Sequence, residues 1–146
     1  MDKLVSVKIL LVEDNPADSD LILNYFKNSD DIQIELVVDG AEALDYLYGR
    51  KNHVDVSLPD IIILDMNLPK IDGMAVLETI KDYNNLKNIP VIVFGTSNDS
   101  EEIKNAYKAH ANCYIVKPIN FDKLNNILEC IENFWTRIVI LPDVDH

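Results

Sequence analysis

The chain is short of cysteine, of basic residues and of long apolar runs, and each shortage removes a class of function. Its two cysteines, Cys113 and Cys130, have neither metal-ligand spacing nor a Cys-x-x-Cys motif. That excludes a disulfide framework and a thiolate zinc site, and buried free thiols are the expected state. The three histidines, His53, His110 and His146, form no cluster from which to build a metal centre. Lysine and arginine number 13 against 25 acids, a net charge of −12. Nucleic-acid binding, which needs basic surface to replace counterions, is thereby excluded, and so is docking to anionic lipid. No window approaches the ~20 apolar residues of a membrane-spanning helix. The short apolar start runs directly into a polar motif, unlike a signal peptide. A cytoplasmic location is expected.

What remains is a chain of 146 residues, 48% hydrophobic, enough for one domain with a single core. It is organised around Pro59-Asp60-Ile61-Ile62-Ile63-Leu64-Asp65-Met66-Asn67-Leu68-Pro69. A run of β-branched and apolar residues bounded by proline reads as a strand buried on both faces. Its terminal carboxylate, Asp65, fits a ligand crevice at the mouth of a parallel sheet, and also fits an ordinary turn starter.

The same unit recurs along the chain. Residues 8–12 are a buried strand ending on Glu13-Asp14, and Asn15-Pro16 supply an N-cap and a first-turn proline. Leu21, Ile22, Tyr25 and Phe26 mark an amphipathic helix to about Asn28, with Asp18 and Asp20 suited to its first turn by the helix dipole. Residues 32–38 alternate as a strand, 41–48 form a short helix, and 49–58 read as a polar, irregular loop. A helix over 74–82 follows the organising strand. Residues 90–94 give a fourth strand ending at Gly95-Thr96-Ser97, and a helix runs to His110. Residues 113–116 are a last short strand ending at Lys117-Pro118. A final helix carries Leu124, Ile127, Leu128, Ile131 and Trp135. Five strand–helix units imply a parallel sheet with helices on both faces. Beyond them, Arg137-Ile138-Val139-Ile140-Leu141-Pro142 is apolar and β-branched. It extends the last helix, packs on its own domain, or meets a second copy of the chain.

A parallel sheet brings the strand ends to one edge. That edge holds Glu13, Asp14 and Asp65, the hydroxyls of Thr96 and Ser97, and the amine of Lys117. Three close carboxylates raise one another's pKa. A hard divalent cation removes that penalty, and Mg²⁺ takes one or two carboxylates while leaving room for a phosphoryl oxygen. Each residue alone is ordinary at a strand end; together they are a strong signal.

Val12-Glu13-Asp14-Asn15, Leu64-Asp65-Met66-Asn67-Leu68-Pro69, Asp72-Gly73 and Val116-Lys117-Pro118 resemble the receiver domain of two-component response regulators, over residues 8–134. The long polar loop, Tyr114-Ile115-Val116-Lys117-Pro118 and the tail most resemble stand-alone regulators paired with bacterial phytochrome kinases. The resemblance implies a doubly wound, flavodoxin-like (βα)5 fold with an apolar extension over 135–146. It implies that Asp65 accepts a phosphoryl group from a sensor histidine kinase. It also implies that Glu13, Asp14, Asp65 and the backbone carbonyl of Asn67 hold Mg²⁺, and that Lys117 contacts the acceptor and then the phosphate. Tyr114 matches an aromatic whose inward or outward pose reports phosphorylation. Asn67 and Ser97 match positions that tune dephosphorylation, and the Lys117–Pro118 bond matches one that is usually cis. Such a protein is a phosphoacceptor rather than an enzyme. Trp135, Ile138, Ile140 and Leu141 are the candidate interface of a homodimer.

One departure bears on the switch. Family spacing puts the phosphate-sensing Thr or Ser at Gly95. Either Thr96 takes over, or Gly95 supplies only a backbone N–H, or the switch is degenerate and the chain is a constitutive docking or dimerising module. A third class, a small phosphohydrolase with Asp65 as nucleophile, fits less well because Asn67 stands where such enzymes resemble a second acid.

Overall fold

The computed structural model describes residues 6–142; the ends of the chain, including the last four residues of the expected extension, lie outside the described residues. Strands β1 (Val7–Val12), β2 (Ile32–Val37), β3 (Ile61–Asp65), β4 (Val91–Gly95) and β5 (Cys113–Val116) form one sheet of order β2-β1-β3-β4-β5. Every pairing is parallel. Between them run helices α1 (Pro16–Phe26), α2 (Gly40–Tyr48), α3 (Gly73–Asp82) and α4 (Ser100–Lys108), and α5 (Phe121–Asn133) follows β5.

The alternation of side chains along the central strands sorts the core into two layers. Leu10, Val12, Ile62, Leu64, Val91 and Val93 face α2, α3 and α4, against Leu44, Val76, Leu77 and Ala106. Ile9, Leu11, Ile61, Ile63, Ile92 and Phe94 face α1 and α5, against Ile22, Phe26, Leu124 and Leu128. All five residues of β3 are buried, as expected of a strand covered on both faces. Burying one such Leu or Ile contributes about 2 kcal/mol, so these strands are the stable frame on which the sheet edge is mounted.

Three expectations are corrected. The loop over 49–58 is not wholly irregular: Lys51–His53 make a 3₁₀ turn after Gly49, whose left-handed backbone closes α2. Cys130 is exposed and Cys113 half-buried, because Leu124, Leu128 and Ile131 take the inward face of α5 and leave Cys130 outside it. No cis peptide bond occurs among the described residues, so Lys117–Pro118 is trans.

The tail continues α5 as a π-helical turn, Phe134–Ile138, with the Thr136 hydroxyl donating to the Glu132 carbonyl at 2.6 Å. Trp135 and Leu141 then pack against the α1–α5 layer. Ile138 and Ile140 stay 68% and 97% exposed.

Candidate phosphoryl and metal site

The sheet order reverses between β1 and β3. In open α/β sheets that switch point, at the carboxyl ends of the strands, is where ligands bind. Here Glu13 and Asp14 follow β1, and Asp65 is the last residue of β3. Oxygens of these three carboxylates lie within 4.8 Å of one another. Glu13 and Asp65 are buried, at 1% and 3% exposure, while Asp14 faces solvent.

From the far side of the groove, the Lys117 ammonium donates to Glu13 at 2.8 Å, Asp18 at 3.2 Å and Asp65 at 3.3 Å. Burial alone opposes its charge, but Glu13, then Asp65 and Asp18, keep it protonated above the ordinary lysine range. Glu13 shows the converse. Burial, reinforced by Asp65, pushes its carboxyl up to about 7 despite Lys117. One ammonium thus leaves Glu13 under-compensated. With Asp65 and the exposed Asp14 it forms a set of hard oxygen donors that fits a divalent cation.

The groove has a volume of about 720 Å³; Asp14, Asp18, Asp65, Asn67, Thr96 and Lys117 supply its polar lining. Asn67 backbone N–H donates to Asp65 Oδ1 at 3.1 Å, which orients the acceptor carboxylate. The Asn67 amide donates to Thr96 Oγ1 at 2.9 Å. β4 ends at Gly95, which is buried, and Thr96 is the first residue beyond it, exposed at the groove. The strand end has therefore not shifted; the hydroxyl comes from the following loop. The Ser97 hydroxyl turns away from the groove and accepts from Asp99 N–H at 2.9 Å.

Gly95 has a steric role. A Cβ built on it would overlap the hydroxyl end of Tyr114 and stand 2.9 Å from Glu102 Oε2. Tyr114 occupies this place by donating its hydroxyl to the Ser97 carbonyl at 2.8 Å and to the Glu102 carboxylate. Burial, then Glu102, pushes the Tyr114 hydroxyl pKa upward, so it remains a donor. The site thus collects Glu13, Asp14, Asp65, Asn67, Thr96 and Lys117, and places Gly95 and Tyr114 beside them. Ser97 lies behind, and Trp135, Ile138, Ile140 and Leu141 lie on the tail. Sequence reasoning missed Asp18 as a Lys117 partner, and Glu102 as the anchor of Tyr114.

A doubly wound sheet with an acidic switch point and an opposed lysine is the arrangement expected of a signalling receiver. Residues 9–129 match the family model described as the response regulator receiver domain, and the chain belongs to that family. It is 41% identical to Response regulator Rcp1 of Synechocystis sp. over 136 residues, 92% of each chain. It is also 41% identical to a probable methanogenesis regulatory protein, FilR2, of Methanothrix harundinacea, over 87% of this chain and 82% of the relative. Among solved structures, the phosphorylated cyanobacterial phytochrome response regulator RcpA superposes with a TM-score of 0.91. It is 44% identical, over 95% of this chain and all of that one. The Mn²⁺-bound form of Rcp1 gives 0.89 at 39% identity, over 94% and 99% of the two chains. The protein is a two-component response regulator, and its acidic cluster suits a divalent ion.

Proposed function

We propose that Asp65 accepts a phosphoryl group from a phosphohistidine of a phytochrome-like sensor histidine kinase, in the cytoplasm. The observation that carries this is the meeting of Asp65 with Glu13, Asp14 and Lys117 at the sheet's switch point. In the transfer, an Asp65 carboxylate oxygen bonds to phosphorus as the phosphorus–nitrogen bond breaks, and the electron pair returns to the imidazole. Lys117 pairs with a phosphoryl oxygen, and the Asn67 N–H keeps the carboxylate in line for attack. Glu13, Asp14, Asp65 and the Asn67 carbonyl would hold Mg²⁺, which would neutralise charge on the phosphoryl oxygens. Thr96 supplies a hydroxyl to the same group, and Asn67 and Ser97 tune the reverse step. There, water attacks phosphorus and the acyl-oxygen bond to phosphorus breaks, restoring the carboxylate. The chain's own chemistry is limited to these steps; it is a signalling protein and turns over no other substrate. The RcpA structure is by name that of a phytochrome response regulator, which supports a kinase of that kind as donor.

The test is intact mass after incubation with acetyl phosphate, with and without Mg²⁺, beside Asp65→Asn. A metal-dependent phosphoryl adduct absent from the variant supports the reading. An adduct that persists in Asp65→Asn removes Asp65 as the acceptor.

Residues 8–134 serve as the receiver, and the tail serves as a homodimer contact through Ile138 and Ile140. Trp135 and Leu141, placed in the same interface from sequence, are already engaged with their own core. An unchanged solution mass after deletion from Arg137 onward counts against a dimer built on the tail. The seating of Tyr114 on Gly95 favours a second reading, in which the aromatic pose does not depend on phosphorylation and the domain docks constitutively. Partner affinity that is equal with and without a phosphate mimic and Mg²⁺ distinguishes it.

A further inference from the structure

Lys117 has three carboxylate partners, and they are not equivalent. Glu13 and Asp65 belong to the acidic cluster that suits a cation; Asp18 does not. A divalent ion drawn to that cluster takes lone pairs from Glu13 and Asp65, and its charge repels a nearby ammonium. Both effects push Lys117 away from the acceptor when a phosphoryl group is due to arrive. Asp18 is the partner the ion leaves in place.

Helix formation accounts for an acid in the first turn of α1, but not for the contact that Asp18 makes with Lys117. Capping of α1 is carried by Asn15, whose side-chain oxygen accepts from Ala17 N–H at 2.9 Å and Asp18 N–H at 3.2 Å. Asp20, expected in the first turn as well, lies past it and is exposed. The Asp18 side chain is one-third exposed, on the wall of the groove, with an oxygen on a lysine 99 residues away.

We propose that Asp18 is a positioning residue for Lys117, holding its ammonium at the phosphoacceptor when a divalent cation occupies the acidic cluster. This rests on the assignment of Asp65 as acceptor and Lys117 as its partner. The first turn of α1 is then part of the phosphoryl-transfer machinery. Its contribution is conditional: small without the ion, when Glu13 and Asp65 hold Lys117, and decisive with it.

The experiment follows the ammonium itself, in protein labelled with ¹⁵N at lysine, the Lys117 signal being assigned by its loss in Lys117→Met. In the wild type the signal stays protected from solvent exchange with and without saturating Mg²⁺. In Asp18→Asn it is retained without Mg²⁺ and lost with it. Asp18→Glu restores it, and Asp20→Asn, an equal change of charge at an exposed neighbour, behaves as wild type. A second arm reads the rate of adduct formation from acetyl phosphate at saturating Mg²⁺. Asp18→Asn is roughly fivefold slower, the worth of a partly exposed ion pair, and adds no further loss in a Lys117→Met background. The proposal is overturned if the Asp18→Asn signal survives Mg²⁺, if it is already lost without the ion, or if the slowing is equal in both backgrounds. Should the wild type form no adduct, the assignment of Asp65 fails while the ammonium signal still decides the role of Asp18.

Discussion

Two neighbouring parts of one sheet edge are held together by opposite means. Around β1, β3 and Lys117, four acids and one amine are gathered by charge, and their arrangement answers to whatever charge enters. One strand further on, Tyr114 is seated beside β4 by an absence, the missing side chain of Gly95, and its place answers to volume. The first arrangement is adjustable by an ion or a phosphoryl group. The second is limited by the space that Gly95 leaves and is held by the hydrogen bonds of the Tyr114 hydroxyl. The chemistry of the site and the pose of the aromatic are therefore governed by different physics, although the Gly95 carbonyl and Lys117 N–H are bonded at 2.7 Å.

The sharpest way to break the contrast is at the charged pole. Asp65→Asn is expected to abolish metal-dependent phosphoryl uptake, and Lys117→Met to slow it by about a hundredfold, as losses of a preorganised charge donor do; intact mass against time reads both. Next in size is Gly73→Ala, a volume change placed under the charged pole. Its Cβ would stand 2.5 Å from the Asp65 carbonyl and from Met66 Cα, backbone that cannot yield. A loss of about 3 kcal/mol is expected in denaturant unfolding.

Gly95→Thr tests the volume pole directly. A Cβ there overlaps the hydroxyl end of Tyr114, so that side chain is expected to leave its seat, lose the bonds to Ser97 and Glu102, and cost about 2 kcal/mol of stability. On the constitutive reading, fluorotyrosine at position 114 shows one unchanging resonance in the wild type with and without the phosphoryl group, and a displaced one in Gly95→Thr. A wild-type resonance that moves on phosphorylation would remove the claim that the pose is set by volume alone.

The smallest effect sharpens the comparison through pH, since charge-held features titrate and volume-held ones do not. Asp39 caps α2 by accepting from Glu42 N–H at 2.7 Å and pairs with Lys70, and these contacts hold its carboxyl below the ordinary aspartate range. A depressed acid stabilises the fold above its unfolded pKa and loses that contribution as pH falls through its folded one. Asp39→Ala is therefore expected to cost about 1 kcal/mol near neutrality. The deficit should close in acid, as followed by thermal unfolding against pH.

Much of this molecule was legible before any coordinates. The three central strands announce themselves because a strand covered on both faces must be apolar throughout, as at Ile61 to Leu64, and the edge strand β2 shows itself by alternation. The acids and Lys117 follow, because parallel strands end at one edge. What escaped has a physical reason in each case. Asp18 at a helix start is adequately explained by the dipole, so nothing local points to Lys117, which reaches it only through the tertiary fold. Gly95 reads as a missing hydroxyl, and its role as a seat requires knowing that the ring of Tyr114, 19 residues away, lies against it. The π-helical turn after α5 has no pattern of its own, since Trp135 fits a continuing helix equally well.

The segment between β3 and α3 carries one more consequence. Met66 N–H donates to the Phe94 carbonyl at 3.1 Å, the Met66 carbonyl accepts from Gly73 N–H at 3.1 Å, and the Asp72 side chain accepts from Ala75 N–H at 2.9 Å. Backbone hydrogen bonds thus close the stretch from Met66 to Gly73 into a ring riveted to β4 at one end and to α3 at the other. A ring of that size has already lost most of its conformational entropy. Little disorder is left to be frozen out around Asn67 when the neighbouring carboxylate reacts, so the free energy of the event can pass into displacement of α3 and β4 instead of being absorbed by a slack loop.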